Sequence, residues 1–275
     1  LDGILCDGAI RSGKTLSMAT GFFLWSMTSF QGRCFGLCGR TIGALRRNIV
    51  DNLHTWLGEL FTIREVRSEN KLVVTGPGGR SNTYYLFGGQ DESAYKLVQG
   101  VTLAGVLLDE VALMPKSFVE QACARCSVEG SKLWFNCNPE GPEHWLYKEW
   151  ILKAKEKRLL HLHFTMQDNP GLAAAIRQRY EAMYTGLFYR RYILGQWCMA
   201  EGLVYDFQPE KHITEALPTA GRYYISVDYG TQNPFSAGLW CVSGGVAYRL
   251  REYYYSGRDT GTMRTDEQYH EDLEA

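Results

Sequence analysis

The hydrophobic and polar positions of this chain follow two periods, and together they predict an α/β fold. Short apolar runs typical of buried strands occur at residues 3–6, 34–38, 105–108, 131–139 and 159–164. Apolar residues at helical spacing predict helices at about 16–27, 45–60, 143–158 and 172–184. Buried strands that alternate with helices favour a parallel sheet flanked by helices on its faces.

Two further β-like runs, 71–75 and 83–87, lie on either side of the cluster Gly76-Pro77-Gly78-Gly79. A glycine cluster of this kind can be mistaken for a phosphate-binding loop. No helical pattern follows it, so a hairpin turn is the prediction.

At the last predicted helix, Asn169 and Pro170 have the residue types of an N-cap and a first helical position.

After Trp197 the pattern changes, which predicts a second domain. A connecting stretch with two prolines leads to β-like runs at 223–230, 236–242 and 246–255. We therefore predict a first domain over 1–200, a connector over 201–221 and a second domain over 222–275. The 275-residue length also exceeds that of an average single domain.

Residues 8–15, Gly-Ala-Ile-Arg-Ser-Gly-Lys-Thr, have the spacing of a phosphate-binding P-loop. Glycines let backbone N–H groups approach phosphate oxygens, and the following helix adds its positive end. Lys14 supplies a charge for the β- and γ-phosphates, and Thr15 offers its hydroxyl to Mg²⁺. An apolar strand before the loop and a helix after it are the context that this motif requires. The predicted ATP-binding residues of the loop are Gly8, Ser12, Gly13, Lys14 and Thr15.

Polar side chains end two of the predicted strands. Asp109 and Glu110 follow the run at 105–108, where Asp109 is predicted to hold Mg²⁺ and Glu110 to activate the attacking water. A strand that runs into a solvated acidic turn gives the same local pattern, but the P-loop favours the ATPase interpretation. Asn136 and Asn138 end the next strand. They are either sensors of the γ-phosphate or parts of an Asn-Pro turn.

Charge and cysteine content limit the classes of function. A net charge of −1 means that any DNA contact must come from local basic clusters. One such cluster, rich in aromatic residues, is either a DNA contact or an amphipathic packing face, and its arginines are Arg177, Arg179, Arg190 and Arg191. Cys123 and Cys126 have metal-ligand spacing, but no histidine pair completes a zinc set, so reduced thiols are expected among the eight cysteines. No apolar run approaches a membrane span, so no membrane partner is expected.

The second predicted domain begins with a strand that ends in a carboxylate, Asp228. A strand delivering one acid and followed by a hairpin is how an RNase H-like nuclease begins. Asp228 is then the first acid of a two-metal site, and Glu252 is a possible second. The further acids of such a site are not identifiable, so we expect the nuclease domain to be incomplete and its DNA cleavage to be weak or absent.

The motifs together resemble the large subunit of tailed-phage terminases, and they are most similar to the branch that includes PBSX-like prophages. The matching pieces run in order from Gly8 to Pro234: GAIRSGKT, GVLLDE, WFNCNP, DNP, GLFYRRYILGQW, EGLVY and SVDYGTQNP. An adenine-contacting segment normally precedes the P-loop in this family. It is absent here, and we expect that an N-terminal segment is missing.

The resemblance implies an ATPase that moves double-stranded DNA into a procapsid and a C-terminal nuclease that cuts concatemeric DNA. It implies that Arg11 contacts phosphate, that Asn136-Cys137-Asn138 couples hydrolysis to movement, and that Asp228 is a nuclease acid. The implied cofactors are ATP and Mg²⁺, with Mg²⁺ or Mn²⁺ at the nuclease site. The implied partners are double-stranded DNA, the small terminase subunit, the portal protein and further copies in a ring, in the host bacterial cytoplasm.

Two alternatives compete with this interpretation. The first is another DNA-dependent P-loop ATPase, such as a helicase-like translocase, which needs helicase motifs after the acids. The second is a packaging adaptor with a vestigial nucleotide site, against which the intact Lys14, Asp109 and Glu110 argue. The arginine that reaches a neighbour's ATP is not identified by the pattern, and Arg40, Arg46 and Arg47 are candidates.

Overall fold

Eight strands form one sheet in the first part of the computed structural model, which describes residues 1–199, 212–230 and 234–274. The chain divides into two units, Leu1–Gly202 and Leu203–Ala275. The strands of the first unit are β1 (Gly3–Gly8), β2 (Cys34–Gly39), β3 (Thr62–Val66), β4 (Lys71–Thr75), β5 (Ser81–Gly88), β6 (Gly105–Asp109), β7 (Lys132–Asn136) and β8 (Leu159–Phe164). Their order across the sheet is β3-β4-β5-β2-β6-β7-β1-β8.

Six neighbouring strands, β5-β2-β6-β7-β1-β8, are parallel, and β3 and β4 extend one edge in antiparallel fashion. The predicted α/β class with a parallel sheet is therefore confirmed. The predicted hairpin around Gly76–Gly79 is also confirmed, because β4 and β5 pair from Thr75 opposite Ser81. Strand β3 was not predicted.

Five helices of the first unit have at least five residues: α1 (Lys14–Ser29), α2 (Ile42–Asn48), α3 (Leu53–Leu57), α4 (Lys116–Ala124) and α5 (Ala174–Met183). A helical turn covers Gly186–Phe188, and π-helical turns cover Tyr147–Ile151 and Tyr189–Ile193. The 3-10 turns are Val50–Asn52, Arg67–Glu69, Pro77–Gly79, Glu92–Val98, Val111–Leu113 and Met166–Asp168.

Three helix predictions were wrong in detail. The helix predicted at 45–60 is interrupted at Ile49, whose φ and ψ of −121° and −61° are not helical. The helix predicted at 143–158 is the π-helical turn Tyr147–Ile151 followed by turns, with the Leu152 N–H bonded to the Tyr147 carbonyl. Helix α5 begins at Ala174, so Asn169 is not its N-cap.

The central strands of the sheet are buried on both faces, which explains why they are continuous apolar runs. Along β6, Leu107 faces a core formed mainly with α1, whereas Val106 and Leu108 face a second core formed with α4 and the Tyr147–Ile151 turn. The first core contains an aromatic cluster around Phe22, with ring centroids 5.7 to 6.3 Å away in Phe23, Trp25, Phe35, Tyr84 and Trp134.

The second unit contains an antiparallel sheet of three strands in the order β11-β10-β9: β9 (Arg222–Asp228), β10 (Phe235–Ser243) and β11 (Val246–Tyr255). Two helices, Gly257–Thr260 and Asp266–Glu274, follow it. Phe235 stacks on Tyr269 with ring centroids 4.2 Å apart. Strand β9 is exposed along its whole length. Of the predicted connector, 201–211 lies outside the described residues. Within the described part of the chain, no helix is long and apolar enough to cross a bilayer.

Phe22 is predicted to be a main source of stability, because its ring is fully buried among five aromatic neighbours. We expect Phe22→Ala to lower the free energy of unfolding by about 3–5 kcal/mol, through lost burial and the cavity left behind. Leu24→Ala on the same helix, where Leu24 is 40% exposed, should cost less than about 1 kcal/mol. Chemical denaturation followed by circular dichroism measures both. Similar losses in the two variants would contradict this account of the core.

Candidate functional site

The candidate site lies at the carboxyl ends of three adjacent strands. Strand β7 pairs with both β1 and β6, so Asn136 lies opposite Cys6 on one side and Asp109 on the other. The loop between β1 and α1 is the predicted P-loop. The polar ends of three strands that are distant in sequence therefore meet at one edge of the sheet, as expected for open parallel sheets.

The loop has a backbone that favours glycine at both ends. Gly8 has a φ of +133°, and a Cβ there would collide with the carbonyl oxygen of Phe164. Gly13 has a φ of +86° and precedes the first turn of α1. Helix α1 begins at Lys14 without a side-chain cap, so its first N–H groups point into the loop.

Lys14 is buried, and its ammonium folds back on the loop. Its Nζ donates to the carbonyl oxygens of Ala9 at 2.6 Å and Gly8 at 3.1 Å. It also donates to Ser12 Oγ at 3.2 Å and Asn138 Oδ1 at 3.1 Å. Burial lowers the pKa of Lys14 to about 8, although Cys137 and Asp7 are among the groups that oppose this shift. The loop thus holds a positive charge that lacks its normal hydration.

Asp109 is 2% exposed and lies in a network of neutral donors. Asn136 Nδ2 donates to Asp109 Oδ1 at 2.6 Å and to Thr15 Oγ1 at 2.9 Å. The Thr15 hydroxyl lies 3.4 Å from Asp109 Oδ1, and Asn48 Nδ2 donates to Asp109 Oδ2 at 3.0 Å. Burial nevertheless raises the pKa of Asp109. The carboxylate is therefore hydrogen-bonded but short of positive charge.

Glu110 follows Asp109 in the left-handed region, with a φ of +58°. Burial raises the pKa of its carboxyl, the charge of Asp109 adds to this effect, and Arg40 and Arg47 oppose it. Of the three arginines considered for a neighbour's ATP, Arg46 already forms a 2.7 Å ion pair with Glu65. The other two lie near Glu110, and Arg47 also lines the cavity described below.

Arg11 also has a left-handed backbone, with a φ of +56°, and its side chain is exposed. Its Nε donates to the Tyr180 hydroxyl at 3.2 Å. Its carbonyl oxygen accepts from Asn169 Nδ2 at 2.8 Å, and Asn169 Oδ1 accepts from the Gly171 N–H. Asn169 therefore supports the P-loop instead of capping a helix. Its local sequence gave no sign of this, because the partner is 158 residues away.

One cavity of about 480 Å³ connects these groups. All but two of the predicted ATP-site residues line it, and the exceptions are Gly8 and Asp109. Asn48, Asn52 and Asn169 line it as well, and none of these was predicted as an ATP ligand. Arg47, which was considered only for a neighbour's ATP, also lines it. Its complete lining is Ile10, Arg11, Ser12, Gly13, Lys14, Thr15, Leu16, Arg47, Asn48, Asn52, Glu110, Asn136, Cys137, Asn138 and Asn169.

Asp228 lies in the second unit at the end of β9, opposite Ser236 of β10. It lines a cavity of about 270 Å³ together with Glu252, which forms a 3.2 Å ion pair with Arg249. All eight cysteines fall within the described residues and are free thiols. In that same part of the chain, no three or more His, Cys, Asp or Glu side chains form a group suited to a metal ion.

A P-loop that ends in Lys14 and Thr15 lies beside a strand that leads into two acids, Asp109 and Glu110. This arrangement defines a P-loop nucleotide-binding protein. Comparison with known families agrees. Residues 5–211 match the family described as terminase large subunit, T4likevirus-type, N-terminal. Because this match covers most of the chain, the chain belongs to the terminase large-subunit family. No curated protein matches it.

Solved structures show the same relationship. The large terminase of a thermophilic bacteriophage is 52% identical, with a TM-score of 0.71, over 99% of this chain and 68% of that chain. The complex of that phage terminase with ATP-γ-S is 50% identical, with a TM-score of 0.69, over 99% and 67% of the two chains. The ATPase domain of the large terminase of Thermus phage P74-26 is 15% identical over 71% of this chain and 88% of that chain, and shares the fold with a TM-score of 0.55.

The chain is therefore a large terminase subunit that is an ATPase, and ATP is its substrate. The role of such a subunit is ATP-driven packaging of viral DNA, which excludes the helicase-like and adaptor alternatives. The finer resemblance to PBSX-like prophages stays a prediction.

The affinity for ATP is predicted to depend on the charge of Lys14. Because burial lowers its pKa to about 8, the free protein loses this charge as the pH rises through that value. Since ATP favours the charged form, we expect its Kd to rise by about tenfold per pH unit above that pKa. Titration with a fluorescent ATP analogue measures the dependence. Lys14→Arg should remove the alkaline rise, because a guanidinium stays protonated there. A wild-type Kd that is flat from neutral to alkaline pH would contradict the prediction.

Proposed function

We propose that the first unit hydrolyses ATP in the cavity at the P-loop and uses the energy to move double-stranded viral DNA into a procapsid. The observation that carries this proposal is the convergence of Lys14, Asp109 and Asn136 at one edge of the sheet, in a chain of the terminase family. The proposed domain bounds are 1–200 for the ATPase, 201–221 for a connector and 222–275 for part of a nuclease.

Each residue of the cavity has a proposed role that follows from its chemistry. The backbone N–H groups from Arg11 to Gly13, with the Ser12 hydroxyl, receive the phosphates. Lys14 exchanges its loop carbonyls for β- and γ-phosphate oxygens, and Arg11 adds a second positive charge from the exposed side. Glu110 accepts a proton from the attacking water, because its raised pKa makes it a stronger base than an ordinary glutamate.

The residues around Asp109 fit a magnesium ion. Asn136 Oδ1 is buried and has no hydrogen-bond partner among the described residues, and the Asp109 carboxylate lacks a full counter-charge. A hydroxyl and a carboxylate are oxygen ligands of the kind Mg²⁺ prefers, and Mg²⁺ often keeps several waters beside one or two protein ligands. Thr15 and Asp109 would hold it. The ion supplies neutralisation of the phosphate charge.

The two asparagines at the end of β7 and just after it, Asn136 and Asn138, have different proposed roles. Asn136 orients Thr15 and Asp109, since it donates to both. Asn138 accepts from Lys14 Nζ, so it is the side chain released when Lys14 turns towards a phosphate. This release makes Asn138 the better candidate for the sensor that couples hydrolysis to DNA movement, with Asn136 supporting the ion.

The second unit is proposed to carry the nuclease acid Asp228. The support is its position at the end of β9 and the cavity that it shares with Glu252. Mg²⁺ or Mn²⁺ is the proposed metal, held by Asp228 with further acids. The proposed partners follow from the family: double-stranded DNA, the small terminase subunit, the portal protein and further copies in a ring. The host bacterial cytoplasm is the proposed location.

Glu110→Gln tests the hydrolytic role. The amide keeps the size of the side chain but cannot take a proton from water, so ATP binding should persist while turnover falls by about 10²–10⁴-fold. Lys14→Ala should lose both binding and turnover. Glu129→Gln, at an exposed position, is the matched control and should behave as wild type. Phosphate release and nucleotide titration measure the two properties. Normal turnover by Glu110→Gln would remove Glu110 from its assigned role.

Asp228→Ala tests the nuclease role in the full-length protein. A metal ligand at a strand end can be removed with little loss of stability, because it relieves repulsion among carboxylates. We expect metal-dependent nicking of plasmid DNA to disappear while ATP turnover and the melting temperature stay near wild type. Glu252→Gln should lower nicking if it shares the metal. Loss of folding in Asp228→Ala, with nicking unchanged per folded molecule, would instead indicate a structural turn.

A further inference from the structure

A buried carboxylate, Asp7, lies one residue before the P-loop but does not line the ATP cavity. Its side chain is 2% exposed. His161 Nε2 and His163 Nδ1 approach its Oδ1 at 2.9 and 3.0 Å, and Trp197 Nε1 donates to its Oδ2 at 2.6 Å. A buried acid needs such donors, because an unpaired charge in the interior is strongly unfavourable.

These contacts keep Asp7 charged. Burial raises its pKa, but the hydrogen bonds from His161, Trp197 and His163 together lower it below its usual value. The two histidines belong to β8, the strand paired with β1, and His163 lies directly opposite Asp7. Trp197 comes from a different part of the chain, so its indole N–H joins a distant segment to the strand that leads into the P-loop.

That distant segment, residues 189–198, is here named the return segment. It begins with the π-helical turn Tyr189–Ile193 and contacts the start of the P-loop through Tyr192 and Gly195. The Ile10 N–H donates to the Tyr192 carbonyl at 2.9 Å. Gly195 has a φ of +68°, and a Cβ there would lie 2.8 Å from Ala9 N and 2.9 Å from Gly8 Cα. A glycine is therefore required for this close approach.

The end of the return segment is fixed as well. Arg191 pairs with Glu140 at 3.0 Å and donates from Nε and Nη2 to the carbonyl oxygen of Cys198 at 3.2 and 3.0 Å. The Trp197 ring stacks on Tyr147 with centroids 5.2 Å apart. A few residues later the chain passes into the second unit, which begins at Leu203.

Nucleotide binding at the ATP site would change the contacts between the P-loop and the return segment. In the described structure, Lys14 donates to the carbonyls of Gly8 and Ala9, the two residues on which Gly195 packs. When Lys14 turns towards phosphates, these carbonyls lose a charged donor, and the peptide groups beside the return segment must find a new arrangement. A segment fastened at Asp7 and Ile10 has to follow.

We propose that Asp7 is a positioning residue that fastens the return segment to the P-loop through Trp197, so that nucleotide binding at the loop changes the return segment. The proposal rests on the proposed function, because it takes ATP to bind at the P-loop. It adds a route by which the state of the ATP site reaches the stretch of chain that leads to the second unit.

Hydrogen–deuterium exchange with and without ATP-γ-S tests the proposal. In the wild type, the nucleotide should change exchange by about fivefold in peptides covering both 5–16 and 189–199. Trp197→Phe keeps an aromatic ring but removes the N–H donor, so its P-loop peptide should still respond. The response of its 189–199 peptide should fall, because only the hydrogen bond from Ile10 to Tyr192 then remains of the two. Asp7→Asn, which removes the charge with little change in shape, should give the same result.

Trp134→Phe is the matched control, because the Trp134 ring is buried and its indole N–H has no hydrogen-bond partner among the described residues. It should respond as the wild type does in both peptides. A wild type in which only 5–16 responds, or an undiminished response at 189–199 in Asp7→Asn, would overturn the proposal even if Trp197→Phe fails to fold. A wild type in which 5–16 does not respond would overturn the proposed function as well.

Discussion

The pairing of Asp109 with Asn136 across β6 and β7 is the constraint on which the ATP site depends. This register places a carboxylate and an amide side by side at the carboxyl edge of the sheet, and β1 delivers the P-loop beside them. A slip of one residue would turn these side chains to the opposite face of the sheet. Just before Asp109, Leu107 and Leu108 pack into cores on opposite faces of the sheet.

The burial of charged side chains is the second constraint on the ATP site. Lys14, Asp109 and Asp7 are all buried, at 6, 2 and 1% exposure, in or beside the strands and loop that form the ATP site. Lys14 donates hydrogen bonds to its neighbours, whereas Asp109 and Asp7 accept them, and no two of the three form a direct ion pair among the described contacts. Lys14 relies on backbone carbonyls, whereas Asp109 relies on amide donors. The positive charge of Lys14 and the negative charge of Asp109 are each left without a full counter-charge. A triphosphate supplies negative charge to Lys14, and a divalent cation supplies positive charge to Asp109.

Much of the sheet and of the site could be predicted because the signals are local. A buried parallel strand is a short apolar run, and the P-loop is a contiguous motif. The residues that were missed depend on partners distant in sequence. Asn48 donates a hydrogen bond to Asp109, and Asn169 donates one to the Arg11 carbonyl. Because the helix breaks after α2, Asn48 lies at a helix end and not inside the predicted helix. The role of Asp7 could not be predicted from the sequence either, because its hydrogen-bond donors come from β8 and the return segment.

Four non-glycine residues of the described chain have a left-handed backbone: Arg11, Asn70, Glu110 and Arg158. Arg11 and Glu110 both adopt the left-handed conformation at turns that leave β1 and β6. Glycine or asparagine would hold these turns at lower cost, since a side chain there is unfavourable by about 1–2 kcal/mol. Arg11 and Glu110 line the ATP cavity, whereas Asn70 and Arg158 are not among its lining residues. Under the proposed function, the strained backbone at these two turns places one charge to face a phosphate and the other to face the attacking water.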